Sequence, residues 1–197
     1  MLLGSLIFTS CSTDSYDTLE QQNVTNDTSK LINKLVEKHQ AKNIQQKGTG
    51  SLQEVINQIE ATALQEPAFL QLVTNNYNTP QANDIDAIIT DSDLVLSNLN
   101  IRTVAKNYVS TLLNTQTIAN LNTLIQTIAN DTQLTTAEKT MLLEATNLHK
   151  QNILENTPGN VDDWYKKGII GYLQGATQTK ANAVLNAVII KTIESEN

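Results

Sequence analysis

Residues 104–128 read VAKNYVSTLLNTQTIANLNTLIQTI, and this stretch predicts the fold class more directly than any other. Its apolar side chains recur every three or four positions, which is the spacing that places them on one face of an α-helix. The spacing keeps one phase from Val104 to Leu113, shifts near Asn114 and then continues to Ile128. The stretch therefore predicts a long amphipathic helical run with a single phase adjustment.

Helix starts elsewhere in the chain carry a specific signature. Ser51 is followed three residues later by Glu54, and Thr135 is followed by Glu138. In such a capping box, the hydroxyl and the carboxylate satisfy backbone amides that the first helical turn leaves unpaired. With only 7 Gly and 3 Pro in 197 residues, we predict an all-α domain over residues 27–197. It is expected to be a single irregular bundle of about six or seven helices, with no substantial sheet.

Four aspartates mark the least regular part of this domain. Asp84, Asp86, Asp91 and Asp93 bracket short apolar runs. A calcium loop requires oxygen ligands at alternating positions and a glycine at its sharp turn, and both requirements fail here. We therefore predict helix N-caps at Asp84 and Asp91 instead of a metal site.

The composition is acidic and rich in uncharged polar residues. The net charge is −7, and the chain contains 23 Asn, 16 Gln and 25 Thr. A nucleic-acid-binding surface is basic, so no nucleic-acid partner is expected. Amides and hydroxyls give a polar exterior that suits contact with another protein or with a polysaccharide.

The single cysteine lies at the end of a short apolar run. Residues 1–10 read MLLGSLIFTS, and Phe8, Thr9 and Ser10 directly precede Cys11. An apolar residue and two small residues before a cysteine resemble the lipobox of bacterial lipoproteins. The resemblance implies that the signal peptide is cut before Cys11, that Cys11 is lipidated, and that the protein is anchored in a membrane of the cell envelope. No basic residue precedes the apolar run, so the beginning of the signal peptide is expected upstream of Met1.

The domain organisation follows from this resemblance. Residues 1–10 are expected to be the signal peptide, and residues 11–26 the lipidated cysteine with a flexible, acidic tether. The helical domain then occupies residues 27–197. The expected location is the outer membrane, with the domain on its periplasmic or surface face.

A search for catalytic motifs finds none. The two histidines, His39 and His149, are expected at polar or boundary positions, and neither has a second ligand at helical spacing. Glu54, Glu60 and Glu144 read as caps or solvated carboxylates. We predict a protein that is not an enzyme and that has no cofactor and no metal.

The last segment contains glycines at unusual positions. Gly168, Gly171 and Gly175 fall inside a predicted helix, where each glycine costs about 1 kcal/mol relative to alanine. We predict that they allow another helix of the same domain to approach closely. The alternative is a small-xxx-small face that acts in a membrane, although polar residues such as Gln174 and Asn182 interrupt it.

Three classes of function remain open on this reading. The first is a lipid-anchored helical envelope protein that binds or supports a partner, either an envelope protein or a polysaccharide. The second is a membrane-active or toxin-like protein that acts through the glycine-spaced C-terminal helix. The third is a cytosolic helical interaction module.

Overall fold

The computed structural model describes residues 14–43, 50–155 and 164–195. These residues form ten helices and no strand, which confirms the all-α class and exceeds the predicted six or seven helices. The helices are α1 (Asp14–Asn43), α2 (Leu52–Ala63), α3 (Pro67–Leu70), α4 (Ala82–Thr90), α5 (Ser92–Asn98), α6 (Thr103–Asn114), α7 (Ile118–Asn130), α8 (Thr136–Glu155), α9 (Trp164–Ala176) and α10 (Lys180–Ser195).

The additional helices arise where one predicted helical run divides into two. The phase shift near Asn114 is the boundary between α6 and α7, where the Thr117 hydroxyl accepts the Asn120 amide at 3.2 Å. The C-terminal segment divides between α9 and α10, where the Thr179 hydroxyl accepts the Asn182 amide at 3.0 Å. A threonine cap starts a new helix at a polar turn, and such a turn is easily read as part of a continuous helix.

The predicted caps are mostly found. At Ser51 the backbone amide donates to the Glu54 carboxylate at 2.7 Å, and the Thr135 amide donates to Glu138 at 2.9 Å. Asp91 caps α5 by accepting the Leu94 amide at 3.0 Å. The predicted N-cap at Asp84 is wrong, because α4 begins earlier and places Asp84 inside its first turn. An acidic side chain there still complements the helix dipole.

The start of α1 differs from the predicted tether. The helix begins at Asp14, so residues 14–26 have helical backbone where the sequence predicts flexible chain. Once a packed segment has nucleated a helix, each further residue that joins the helix adds one backbone hydrogen bond. The predicted boundary near residue 27 is therefore not a boundary of secondary structure.

The core is centred on α10. All ten residues from 181 to 190 are buried, and α10 packs against α1, α2, α4 and α9. A helix that is buried on every side carries no polar face, which is why its apolar pattern lacks a clear stripe. The α8 helix packs on α1, α7 and α9 and closes the bundle beside this core.

The glycines of α9 explain how α10 comes so close. A Cβ atom at Gly175 would lie 2.4 Å from the backbone oxygen of Asn182, and one at Gly171 would lie 2.2 Å from Cδ1 of Ile190. At Gly168 a Cβ atom would meet nothing within 4 Å, so including Gly168 in the predicted helix contact was wrong. Gly168 instead borders a small cavity of about 30 Å³.

Alanine substitutions at the three glycines should therefore not all change the free energy of unfolding in the same direction. Gly175→Ala should lower the free energy of unfolding by about 1–2 kcal/mol, since the clash with the backbone of α10 outweighs the better helix propensity. Gly171→Ala should cost less, because the end of the Ile190 side chain can move. Gly168→Ala should raise the free energy of unfolding by up to about 1 kcal/mol. Urea unfolding of the three variants measures the order, and equal effects would contradict the close approach.

Candidate functional site

Four lysines form a stripe along α1. Lys30, Lys34, Lys38 and Lys42 follow one another at intervals of four residues, so neighbours in the stripe lie on adjacent turns. Like charges at this spacing repel and destabilise a helix by about 0.2–0.5 kcal/mol per pair. A stripe of this kind is thus unfavourable for α1 alone, and its charges require partners from elsewhere.

The corner between α2 and α3 supplies most of these partners. Lys34 Nζ lies 2.8 Å from Oε1 of Glu66, and Lys38 Nζ lies 2.5 Å from Oε2 of the same carboxylate. Lys42 donates to Oε1 of Gln65 at 2.7 Å. Glu66 is the N-cap residue of α3, but its side chain makes no cap hydrogen bond and points to α1.

The Glu66 carboxylate is held in its charged form. Its side chain is only 5% exposed, and hydrogen bonds from Lys34 and Lys38 lower the pKa of Glu66 from 4.5 to about 2. The side chains of these lysines are 54% and 44% exposed. The acid of this cluster is therefore buried and the bases are presented outward.

A cleft of about 420 Å³ opens beside this cluster. It lies between α1, the α3 corner and the first residue of α10. Three lysines line it, namely Lys30, Lys34 and Lys180, together with the carboxylates of Asp27 and Glu66. Leu31 and Leu72 give the same cleft an apolar surface. The lining carries one net positive charge in a chain of net charge −7.

Lys180, which lines the cleft, donates a hydrogen bond to a buried carboxylate of α8. Oε1 of Glu144 accepts hydrogen bonds from Lys180 and, at 3.3 Å, from the Thr28 hydroxyl of α1. Oε2 accepts the hydroxyl of Tyr172 on α9. The Glu144 side chain is 3% exposed. We call Glu144, Thr28, Tyr172 and Lys180 the Glu144 cluster, and it joins four helices behind the cleft.

Burial fixes the protonation state of the tyrosine in this cluster. Desolvation raises the pKa of the Tyr172 hydroxyl well above its usual value, and the charge of Glu144 and their hydrogen bond raise it further. Tyr172 therefore remains a neutral donor. Glu66 and Glu144 thus pair with lysines that line the cleft, while their own side chains are only 5% and 3% exposed.

The histidines occupy positions that the sequence did not indicate. His39 is 3% exposed and His149 is fully buried, so the expected polar or boundary positions were wrong. The His149 ring stacks on Tyr165 with 4.9 Å between centroids, and its Nε2 lies 2.6 Å from the Thr115 carbonyl oxygen. Burial lowers the pKa of His149. The ring is a packed element of the core at the end of α6.

None of the residues predicted to carry function is among the described residues that line the cleft. Phe8, Thr9, Ser10 and Cys11 lie outside the described residues. Gly171 and Gly175 shape the core and lie away from the cleft lining.

Sequence reasoning missed the residues that form the cleft. The lysine stripe is readable as a four-residue interval, whereas its pairing with Glu66 depends on the fold. Glu144 was wrongly predicted to be solvated or capping. Its apolar neighbours in the run Met141-Leu142-Leu143-Glu144-Ala145 were the available signal. Glu60, also expected as a cap or solvated acid, instead accepts the hydroxyl of Tyr77 at 2.5 Å.

Two features are absent from the described residues. No group of three or more His, Cys, Asp and Glu side chains converges there as a metal site would require. No helix in the same part of the chain is both long and apolar enough to cross a membrane. Comparison with known proteins finds no matching family, no similar curated protein and no matching solved structure.

The lysine pairing of Glu66 predicts a pH-dependent contribution to stability. Because the folded-state pKa of Glu66 is about 2 and its ordinary value is 4.5, the contribution is present above pH 4.5 and disappears as the pH falls to about 2. The difference in melting temperature between wild type and Glu66→Gln should therefore be largest above pH 4.5 and should shrink toward pH 2.

A matched background isolates the cause of this dependence. In a Lys34→Gln/Lys38→Gln chain, Glu66→Gln should have a small effect at every pH, since the groups that lower the pKa are gone. A pH-dependent difference of unchanged size in that background would contradict the assignment.

Proposed function

We propose that this chain is a lipid-anchored helical protein of the bacterial cell envelope, with a binding or structural role and no catalytic one. The observation that carries the proposal is the run that ends in Phe8-Thr9-Ser10-Cys11, which places the only cysteine of the chain where lipoproteins are lipidated. In this proposal the anchor holds the domain at a membrane of the envelope, on the periplasmic or surface side.

The cleft beside the lysine stripe supports a binding role. Its volume of about 420 Å³ lies within the range of clefts that hold small molecules. It also combines charged side chains with the apolar side chains of Leu31 and Leu72, so it offers contacts to both a charged and an aliphatic group. An envelope protein or a polysaccharide remains the proposed macromolecular partner, and the uncharged polar surface is compatible with either.

The packing of α9 and α10 favours the anchored binding protein over the membrane-active alternative. A helix that acts on lipid must present an apolar face, yet residues 181–190 of α10 are all buried inside the bundle. The glycines that suggested a membrane face meet α10 instead. Membrane activity would require this core to open first.

Lipidation of Cys11 is the direct test. The full chain, preceded by a basic signal-peptide start, is expressed in a Gram-negative bacterium that is fed a labelled fatty acid. We expect label on the protein and partition into the detergent phase, with both lost in Cys11→Ser and both kept in Ser12→Ala. Wild-type protein that stays unlabelled in the aqueous phase would contradict the anchor and favour the cytosolic module.

A further inference from the structure

We propose that the cleft between α1, the α3 corner and α10 binds an anionic amphiphile, meaning a small molecule with one acid group and an aliphatic chain. A medium-chain carboxylate has this chemistry. The inference concerns the folded domain and does not depend on lipidation of Cys11.

The exposed charge of the cleft is suited to an anion. The carboxylates of Glu66 and Glu144 are 5% and 3% exposed, and lysines cover both. The side chains of Lys34 and Lys180 are 54% and 34% exposed. A ligand that enters therefore meets more lysine surface than carboxylate surface from these two pairs. Asp27 is the one exposed carboxylate among the described lining residues.

The lysines retain unused hydrogen-bond donors. An ammonium group has three N–H donors, and the contacts of Lys34 with Glu66 and of Lys180 with Glu144 use one each. Lys30 is exposed and makes no hydrogen bond or ion pair within the part of the chain that the structure describes. It is thus the stripe lysine left for a ligand, although its charge adds to the repulsion along α1.

The apolar lining indicates the other half of the ligand. Leu31 is 8% exposed and Leu72 is half-buried, and both line the same cleft as the ammonium groups. An inorganic anion would use the lysines and leave the accessible part of this apolar lining, mainly that of Leu72, in contact with water. An aliphatic chain attached to the acid group covers this lining, and each buried methylene strengthens binding by about fourfold.

Calorimetric titration with hexanoate, octanoate, decanoate and decanol tests the roles of both the acid group and the aliphatic chain of the proposed ligand. The sample is the full chain carrying Cys11→Ser, so that no attached lipid competes and failure of the anchor proposal leaves this test unaffected. We expect each added pair of methylenes to tighten binding by about fifteenfold. We also expect decanol to bind at least about tenfold more weakly than decanoate.

A charge reversal at the lysine without a partner assigns the binding to the cleft. Lys30→Glu breaks no contact of the described structure and should weaken decanoate binding by about tenfold. Lys106→Glu is the control for the same change of charge, since Lys106 lies on α6, donates to the Ser97 carbonyl at 2.7 Å and does not line the cleft. Its decanoate affinity should equal that of the parent chain. Melting curves confirm that both variants fold.

Several results would overturn the proposal. Equal affinity for decanol and decanoate would remove the role of the lysines, and equal affinity along the carboxylate series would remove that of the leucines. An unaffected Lys30→Glu variant would place binding elsewhere. Binding to vesicles of anionic phospholipid without binding to decanoate would assign the lysine stripe to a membrane surface instead.

Discussion

The carboxylate of Glu144 is buried where α1, α8, α9 and α10 meet. It accepts hydrogen bonds from Thr28, Tyr172 and Lys180 while its side chain is 3% exposed. Burying a carboxylate costs several kcal/mol unless a positive charge and several donors compensate it. All three partners must therefore reach it together. Any other packing of these helices would leave the charge uncompensated, so the cluster penalises alternative arrangements of the core.

Such a constraint is needed because α10 has no polar face to define its rotation. Residues 181–190 are buried all around, so hydrophobic burial alone would tolerate other rotations of the helix. Polar contacts instead define the rotation of α10 about its axis. Asn182 donates to the Asn78 carbonyl at 2.6 Å, and Asn186 donates to the Gly171 carbonyl at 3.3 Å across the close glycine contact. The Glu144 cluster fixes the beginning of the same helix through Lys180.

The same cluster positions the cleft. Lys180 donates to Glu144 and also lines the cleft. Thr28 connects α1 to the cluster two residues before Lys30, which lines the same cleft. On the opposite side, Glu66 fixes Lys34 and Lys38. Two buried carboxylates thus hold the lysines in place, and a locally cationic site forms in an acidic protein. Lys34 thus holds α1 to the corner before α3 and also lines the cleft, whereas Lys30 lines the cleft without holding another helix.

Local signals in the sequence were sufficient for the fold class and for the helix starts at Ser51, Asp91 and Thr135. The capping boxes at Ser51 and Thr135 and the apolar spacing of residues 104–128 depend only on near neighbours, and the structure contains them. The cleft could not be predicted in this way. The contact of Lys34 with Glu66 spans 32 residues and that of Thr28 with Glu144 spans 116, so neither leaves a local pattern. The lysine stripe is visible in the sequence, but its contacts with Gln65 and Glu66, between α2 and α3, are not.

A double-mutant cycle on Glu144 and Tyr172 measures the central constraint most directly. Urea unfolding of wild type, Glu144→Gln, Tyr172→Phe and the double variant yields their coupling free energy, and the pair Glu54→Gln with Tyr172→Phe is the control. A buried carboxylate shared by four helices predicts a coupling of about 1–3 kcal/mol for the first pair and additive effects for the second. Additive effects within about 0.3 kcal/mol at Glu144 and Tyr172 would contradict the central role of the cluster.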